Sequence, residues 1–197
     1  MIRLPHRNLP KNAQNQLNTW QNEINGLKDY AERVDRGKKA FARRNKLTNP
    51  TFRKVRQTLT QMCCAARRCG YCEDSVADEV EHIKPKDLYP EAVFVWENYL
   101  YACGQCNGGK NNKYAVFSDT TGQVKEVALR RGEPMVEPEQ GEPVLIDPRK
   151  EEYLMHNLSK DAGGRGCRGA EVQGCRGAGE MRNNFSNPNE PSTKKKV

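Results

Sequence analysis

The stretch that decides the fold opens with Cys69-Gly70-Tyr71-Cys72 and continues through Glu81-His82-Ile83-Lys84-Pro85 and Trp96-Glu97-Asn98. It closes with Cys103-Gly104-Gln105-Cys106-Asn107, and Lys110 and Lys113 lie just beyond. Each Cys-x-x-Cys is a knuckle, because two intervening residues let both sulfurs face one point. Two knuckles bring four thiolates together, Cys69, Cys72, Cys103 and Cys106, a closed tetrahedral set that suits structural Zn2+. Redox Cys-x-x-Cys motifs usually come singly, and a reducing compartment keeps thiols free, so a disulfide relay is the weaker reading. Four protein ligands leave no open position, so this metal is expected to fold the chain and to do no chemistry.

Chemistry is expected between the knuckles. Ser75-Val76-Ala77-Asp78-Glu79-Val80 reads as a strand that ends in Glu81 and His82, and Ile83 and Pro85 turn the chain out of it. Trp96-Glu97-Asn98-Tyr99-Leu100-Tyr101 reads as a second strand, with one aromatic face packing over the hairpin. Asn107 directly follows the last cysteine, where a short helix is expected to begin. The order is strand, loop, strand, knuckle, helix. Trp96 is read as core rather than as a platform for base stacking.

Glu-His-Ile-x-Pro, then Trp-x-Asn, then Cys-x-x-Cys-Asn-x-x-Lys resembles the HNH endonuclease family, whose core is the ββα-metal finger. The resemblance covers residues 69–117. It implies that His82 is the general base, that Glu81 and Asn107 hold one divalent cation, and that Asn98 orients the histidine. Asn107 stands where the family often has histidine. A longer set of residues resembles the HNH subunits that accompany ATPases in Septu-type anti-phage systems: Cys72-Glu73, Tyr89-Pro90, Trp96-Glu97-Asn98 and Ile146-Asp147-Pro148-Arg149. That likeness implies an ATPase partner subunit and a role in anti-phage defence.

The residues make chemical sense without the name. Phosphodiester hydrolysis needs an activated water, a cation for developing charge, and fixed geometry. A histidine near its ordinary pKa of about 6.5 can take a proton at neutral pH. The Glu81 carboxylate and the Asn107 amide oxygen are hard ligands, suited to Mg2+ or Mn2+. Lys110 and Lys113 are expected about one helical turn apart, facing backbone phosphates. Taken singly, a Glu-His pair is surface decoration, Asn98 caps a turn, and Asn107 bonds the knuckle backbone. In this order around two knuckles they read as one site.

The chain has 197 residues, 36% of them hydrophobic, and a mean hydropathy of −0.94. Such a chain buries a modest core, for which a metal staple compensates. The N-terminus has no apolar signal core and no apolar run is long enough to span a bilayer, so a cytoplasmic protein is expected. Net charge is +8, unevenly spread. Residues 1–70 hold 16 Lys and Arg against 4 Asp and Glu, whereas residues 71–110 hold 3 against 8. A basic arm beside a metal site fits a polyanion, here nucleic acid, with double-stranded DNA the expected substrate.

Leu17, Trp20, Ile24, Leu27, Ala31 and Val34 form an apolar stripe at helical spacing over residues 11–36, either core or a partner surface. Residues 36–46 are basic, and Arg43 and Arg44 are candidate backbone contacts. A helix is expected from Asn49-Pro50, with Asn49 as cap and Phe52, Val55, Leu59, Met62 and Cys63 as its apolar stripe. Cys64 is expected half exposed, and neither Cys63 nor Cys64 has a knuckle partner.

Beyond Lys113, Tyr114-Ala115-Val116-Phe117 reads as a strand or a helix end, Asp119-Thr120-Thr121-Gly122 as a turn, and residues 124–129 as a strand. Residues 130–143 read as a surface loop, and Val144-Leu145-Ile146 as a short apolar run stopped by Asp147-Pro148. His156-Asn157 is read as bland. From Ser159 on, glycine dominates, and Cys167 and Cys175 lack the company a metal site needs.

The expected class is α+β. The expected regions are a basic helical region (1–68), the zinc-stapled finger (69–117), an extension (118–158) and a disordered tail (159–197). The expected function is a metal-dependent endonuclease. The alternative is a zinc-knuckle module that binds nucleic acid without cutting it, for which the Glu81, His82 and Asn107 trio has no use.

Overall fold

The computed structural model describes residues 3–64, 66–127 and 135–150. Three helices precede the knuckles. α1 spans Lys11–Asn25 and α2 spans Tyr30–Arg44, so the stripe read over 11–36 belongs to two helices rather than one. The break is local. Gly26 follows α1, and the Asp29 side chain accepts a hydrogen bond from the Glu32 amide at the start of α2, in the Asp-x-x-Glu spacing of a capping box. α3 spans Pro50–Met62 and starts as expected: the Asn49 side chain accepts from the Thr51 and Phe52 amides, and Pro50 opens the first turn.

Leu17, Trp20, Ile24 and Val34 of the apolar stripe are core, with Leu27 and Ala31 half-buried, so these four do not form a docking face. Leu17, Ile24, Phe52, Val55 and Leu59 are at most 1% exposed. Trp20 lies nearly parallel to Phe52, with ring centroids 6.1 Å apart. Met62 and Cys63 are buried at the end of α3, and Cys64 is exposed.

The helices pack on a hairpin. β1 (Glu79–His82) pairs antiparallel with β2 (Tyr99–Ala102), placing Glu81 opposite Leu100 and His82 opposite Tyr99. One hydrophobic cluster joins Leu17, Phe41 and Phe52 of the helices to Val80, Tyr99 and Tyr101 of the hairpin. Both strands start later than the sequence suggested. Val76 makes only an isolated bridge to Arg68 and is exposed. Trp96–Asn98 forms a 3-10 turn, because the Asn98 side chain is spent on loop backbone. Trp96 is core, 1% exposed, and its Nε1 donates to the Arg7 carbonyl.

α4 (Gly104–Lys110) begins immediately after Cys103, three residues earlier than expected. β3 (Tyr114–Ser118) is the middle strand of a three-stranded antiparallel sheet, between β4 (Val124–Val127) and β5 (Gly141–Pro143). The stretch read as loop over 130–143 thus ends in a strand. The turn after β3 forms as expected, with Ser118 Oγ accepting from the Thr120 and Thr121 amides and Gly122 at φ +66°.

The segment after β5 returns to the hairpin. The Leu4 amide donates to the Pro148 carbonyl, and Arg149 Nη1 donates to the Trp96 and Tyr99 carbonyls at 2.6 and 2.7 Å. The fold is α+β as expected. The readings of His156-Asn157, Cys167, Cys175, the region after Ser159 and the 128–134 stretch lie outside the described residues. Among the described residues no helix is long and apolar enough to cross a membrane.

Candidate active site

The two knuckles converge. The sulfurs of Cys69, Cys72, Cys103 and Cys106 all lie within 4.8 Å of one another, and those of Cys72 and Cys103 are 4.0 Å apart. A tetrahedron with Zn–S bonds of about 2.3 Å needs sulfurs about 3.8 Å apart, so only small side-chain shifts separate this cluster from a zinc cage. Backbone amides of Ser75 and Asp74 draw the Cys72 thiol down to about 6, toward the thiolate that a metal takes. Gly70 permits the first knuckle to sit this close to the hairpin: a Cβ there would meet the Leu100 side chain at 2.8 Å. The cluster fixes where α4 starts, and hence which face of β1 it covers.

β1 alternates, so Glu79 and Glu81 point one way and Val80 and His82 the other. The first pair meets α4. Asn107 Nδ2 donates to Glu79 Oε2, which leaves the Asn107 carbonyl oxygen as the atom that amide offers a cation. Lys110 Nζ donates to Glu81 Oε1 at 2.7 Å and to the His82 carbonyl at 2.8 Å. Glu81 is 7% exposed, and burial pushes its carboxyl up against the opposing pull of Lys110. Two carboxylates and an amide on facing elements make a hard, oxygen-rich donor set that fits Mg2+ or Mn2+.

His82 is 4% exposed. Its ring meets Phe41 edge-on at 4.4 Å and Tyr99 at 5.3 Å. Burial drives its pKa down to about 3, and the Lys86 and Lys110 charges add to that shift, so the imidazole is neutral across the physiological range. Its Nε2 lies 3.0 Å from the Val93 carbonyl, which also accepts from the Tyr99 hydroxyl at 2.8 Å. A carbonyl can only accept. Nε2 therefore carries the proton, and Nδ1 keeps the lone pair.

Asn98 does not touch the imidazole by any hydrogen bond of the structure. Its Oδ1 accepts from the Lys84 amide, and its Nδ2 donates to the Lys84 and Ala92 carbonyls. It holds the ends of the loop that carries Val93, so any hold it has on His82 passes through that carbonyl.

Glu81, His82 and Asn107 all line one cleft of about 490 Å³, together with Glu79, Lys86 and Arg56. Of the four residues read as phosphate contacts, two are spent on structure. Lys110 forms the buried pair with Glu81, each side chain 9% exposed. Arg44 pairs with Glu23 at 2.8 Å and lies over the Trp20 ring. Arg43 and Lys113 are exposed, but α4 ends at Lys110 and Asn111 has φ +45°, so Lys113 is not on a helical face with Lys110. Sequence reading passed over Glu79, whose i, i+2 spacing from Glu81 on a strand was available as a signal. It also passed over Val93 and Arg56, for which spacing gave none.

A knuckle-stapled hairpin with one short helix across its acidic face is the arrangement of a ββα-metal finger. Residues 69–113 match the model of the HNH endonuclease family. The chain is also similar to Septu protein PtuB of Bacillus thuringiensis, at 48% identity over 48 residues. That match covers 22% of this chain and about a fifth, 19%, of the relative. No solved structure matches the chain.

Proposed function

We propose that the chain is a metal-dependent endonuclease that hydrolyses phosphodiester bonds in double-stranded DNA, with His82 as general base. The observation that carries this reading is the tautomer of His82. Its Nε2 proton is committed to the Val93 carbonyl, which leaves the lone pair of a neutral ring on Nδ1, and His82 lines the same cleft as Glu81 and Asn107. Such a ring can accept a proton from an attacking water. The low pKa comes from burial and from nearby lysine charge, and the negative phosphodiester that enters the cleft acts against the lysine charge. As the ring charges, the Val93 carbonyl accepts a stronger hydrogen bond and stabilises it.

Glu81 and Asn107, with Glu79 beside them, are the residues that would hold Mg2+ or Mn2+. When bound, that cation polarises the phosphate and neutralises charge on the leaving 3′ oxygen. Lys110 keeps one Glu81 oxygen fixed from behind. The Cys69, Cys72, Cys103 and Cys106 cage is assigned to Zn2+ and to folding alone. By likeness to the Septu protein we extend the reading to a defence role with an ATPase partner subunit in the cytoplasm.

Nicking of supercoiled plasmid tests the central claim. Wild type is expected to nick with Mg2+ or Mn2+ and to stop in EDTA, and His82→Ala is expected to lose about 10²- to 10⁴-fold in rate. Wild-type rates from His82→Ala would exclude His82 as the base.

A further inference from the structure

Resting on that nuclease reading, we infer that Arg56, on α3 and outside the family-matched segment, binds the backbone phosphate of the nucleic acid in the catalytic cleft, with Asn45 setting its guanidinium. Arg56 lines the cleft with His82, Glu81 and Asn107. It is joined to the site by a run of rings: its guanidinium lies 5.9 Å from the Phe52 centroid, Phe52 meets Phe41 at 5.5 Å, and Phe41 meets His82 at 4.4 Å.

The guanidinium is half-buried without a counter-charge. Its Nη2 donates to Asn45 Oδ1 at the end of α2, its Nη1 makes a long 3.5 Å bond to the Phe52 carbonyl, and its Nε is buried with no hydrogen-bond partner. Among the described residues no carboxylate pairs with it. The other large cations nearby do have one: Lys110 has Glu81, Lys86 has Asp87, and Arg44 has Glu23. Burial pulls the Arg56 pKa below the ordinary guanidinium value, the sign of a charge whose lost hydration its neutral partners do not fully make good.

A cation held in that state gains from an anion that enters the cleft. The planar fork of an arginine matches two oxygens of a phosphodiester. The same cleft is lined by Asp78, Glu79 and Glu81, which repel a polyanion, so a cation among them sets where a phosphate can rest. Asn45 restrains one nitrogen and so lowers the ordering needed on binding.

The test is binding of a short DNA duplex by fluorescence anisotropy in the His82→Ala background, beside plasmid nicking with His82 intact. Arg56→Gln is expected to weaken binding about 10- to 100-fold, the range for a charge-assisted hydrogen bond, and Arg56→Lys to weaken it less. Lys54→Gln, an exposed change on the same helix, is expected to move affinity by less than about 3-fold. A duplex series with one neutral methylphosphonate at each position supplies the decisive comparison. At one position, next to the nick, the Arg56→Gln penalty is expected to vanish. Thermal melting screens each variant for folding, and Arg56→Lys carries the comparison if Arg56→Gln unfolds. Equal affinity of parent and Arg56 variants, or a penalty that no methylphosphonate removes, overturns the Arg56 assignment and leaves His82-dependent nicking standing. A parent that neither binds nor nicks nucleic acid overturns the nuclease reading itself.

Discussion

Replacing Arg149 by methionine is expected to destabilise the hairpin that carries the site, although position 149 lies far outside the matched segment. Arg149 Nη1 donates to the Trp96 and Tyr99 carbonyls, and the guanidinium stacks over the Trp96 ring at 4.4 Å. These contacts brace the 3-10 turn that holds Asn98 and the start of β2. Two charge-assisted hydrogen bonds are worth about 1.5–3 kcal/mol each, and the buried, unpartnered Nη2 subtracts about 1–3 kcal/mol. The ring contact adds about 1 kcal/mol. The net expectation is a loss of about 3 kcal/mol, a large part of the stability of a domain this size. Urea unfolding followed by tryptophan fluorescence measures it: the midpoint should fall while the slope stays constant. Arg149→Lys should recover less than half, because an ammonium cannot stack and fork at once. A midpoint shift worth less than about 1 kcal/mol would falsify the view that Arg149 clamps the hairpin.

Emission spectroscopy is expected to find about one tightly bound zinc per chain, and Cys69→Ser is expected to lose both zinc and fold, since metal binding is folding free energy in small knuckles; a folded, zinc-free protein contradicts the cage. Glu81→Gln is expected to stay folded and to raise the Mg2+ concentration that half-activates nicking by about 10-fold or more, while an unchanged metal titration removes Glu81 from the cation site. Asp87 is held below the usual carboxylate range by Lys86, Lys38 and Asn112, in spite of its burial. Its contribution is therefore present above about pH 4 and lost as pH falls through its lowered value. Asp87→Asn should cost about 1–2 kcal/mol at pH 7 and progressively less at acid pH, and parallel stability curves for the two proteins across that range would refute the assignment.

The sequence by itself determined whatever depends on local spacing. The knuckle pairs determined the cysteine cluster, because two residues between cysteines confine both sulfurs to one side of a turn. Asn49-Pro50 determined the start of α3, because a cap and a fixed φ act within a few residues. The stripe of Leu17, Trp20 and Ile24 determined an apolar helix face, which the structure shows to be buried, and the family motif pointed to the segment that holds the candidate site. The division of that stripe at Gly26 and Asp29 was legible too, in a capping box that the longer periodicity hid.

The tertiary structure alone decided which polar groups are free to act. Lys110 and Arg44 look like phosphate contacts in a list of charges, yet each is spent on a carboxylate brought to it by another element. Arg56 looks like one more helical arginine until α2, α3 and β1 close a cleft around it and leave it without a counter-charge. The tautomer of His82 depends on the Val93 carbonyl, eleven residues away along the chain and held in place by a loop that Asn98 ties. A residue's type and spacing fix what it is able to do. Desolvation and the partners supplied by distant elements fix its charge and whether it is available, and neither can be read along one dimension.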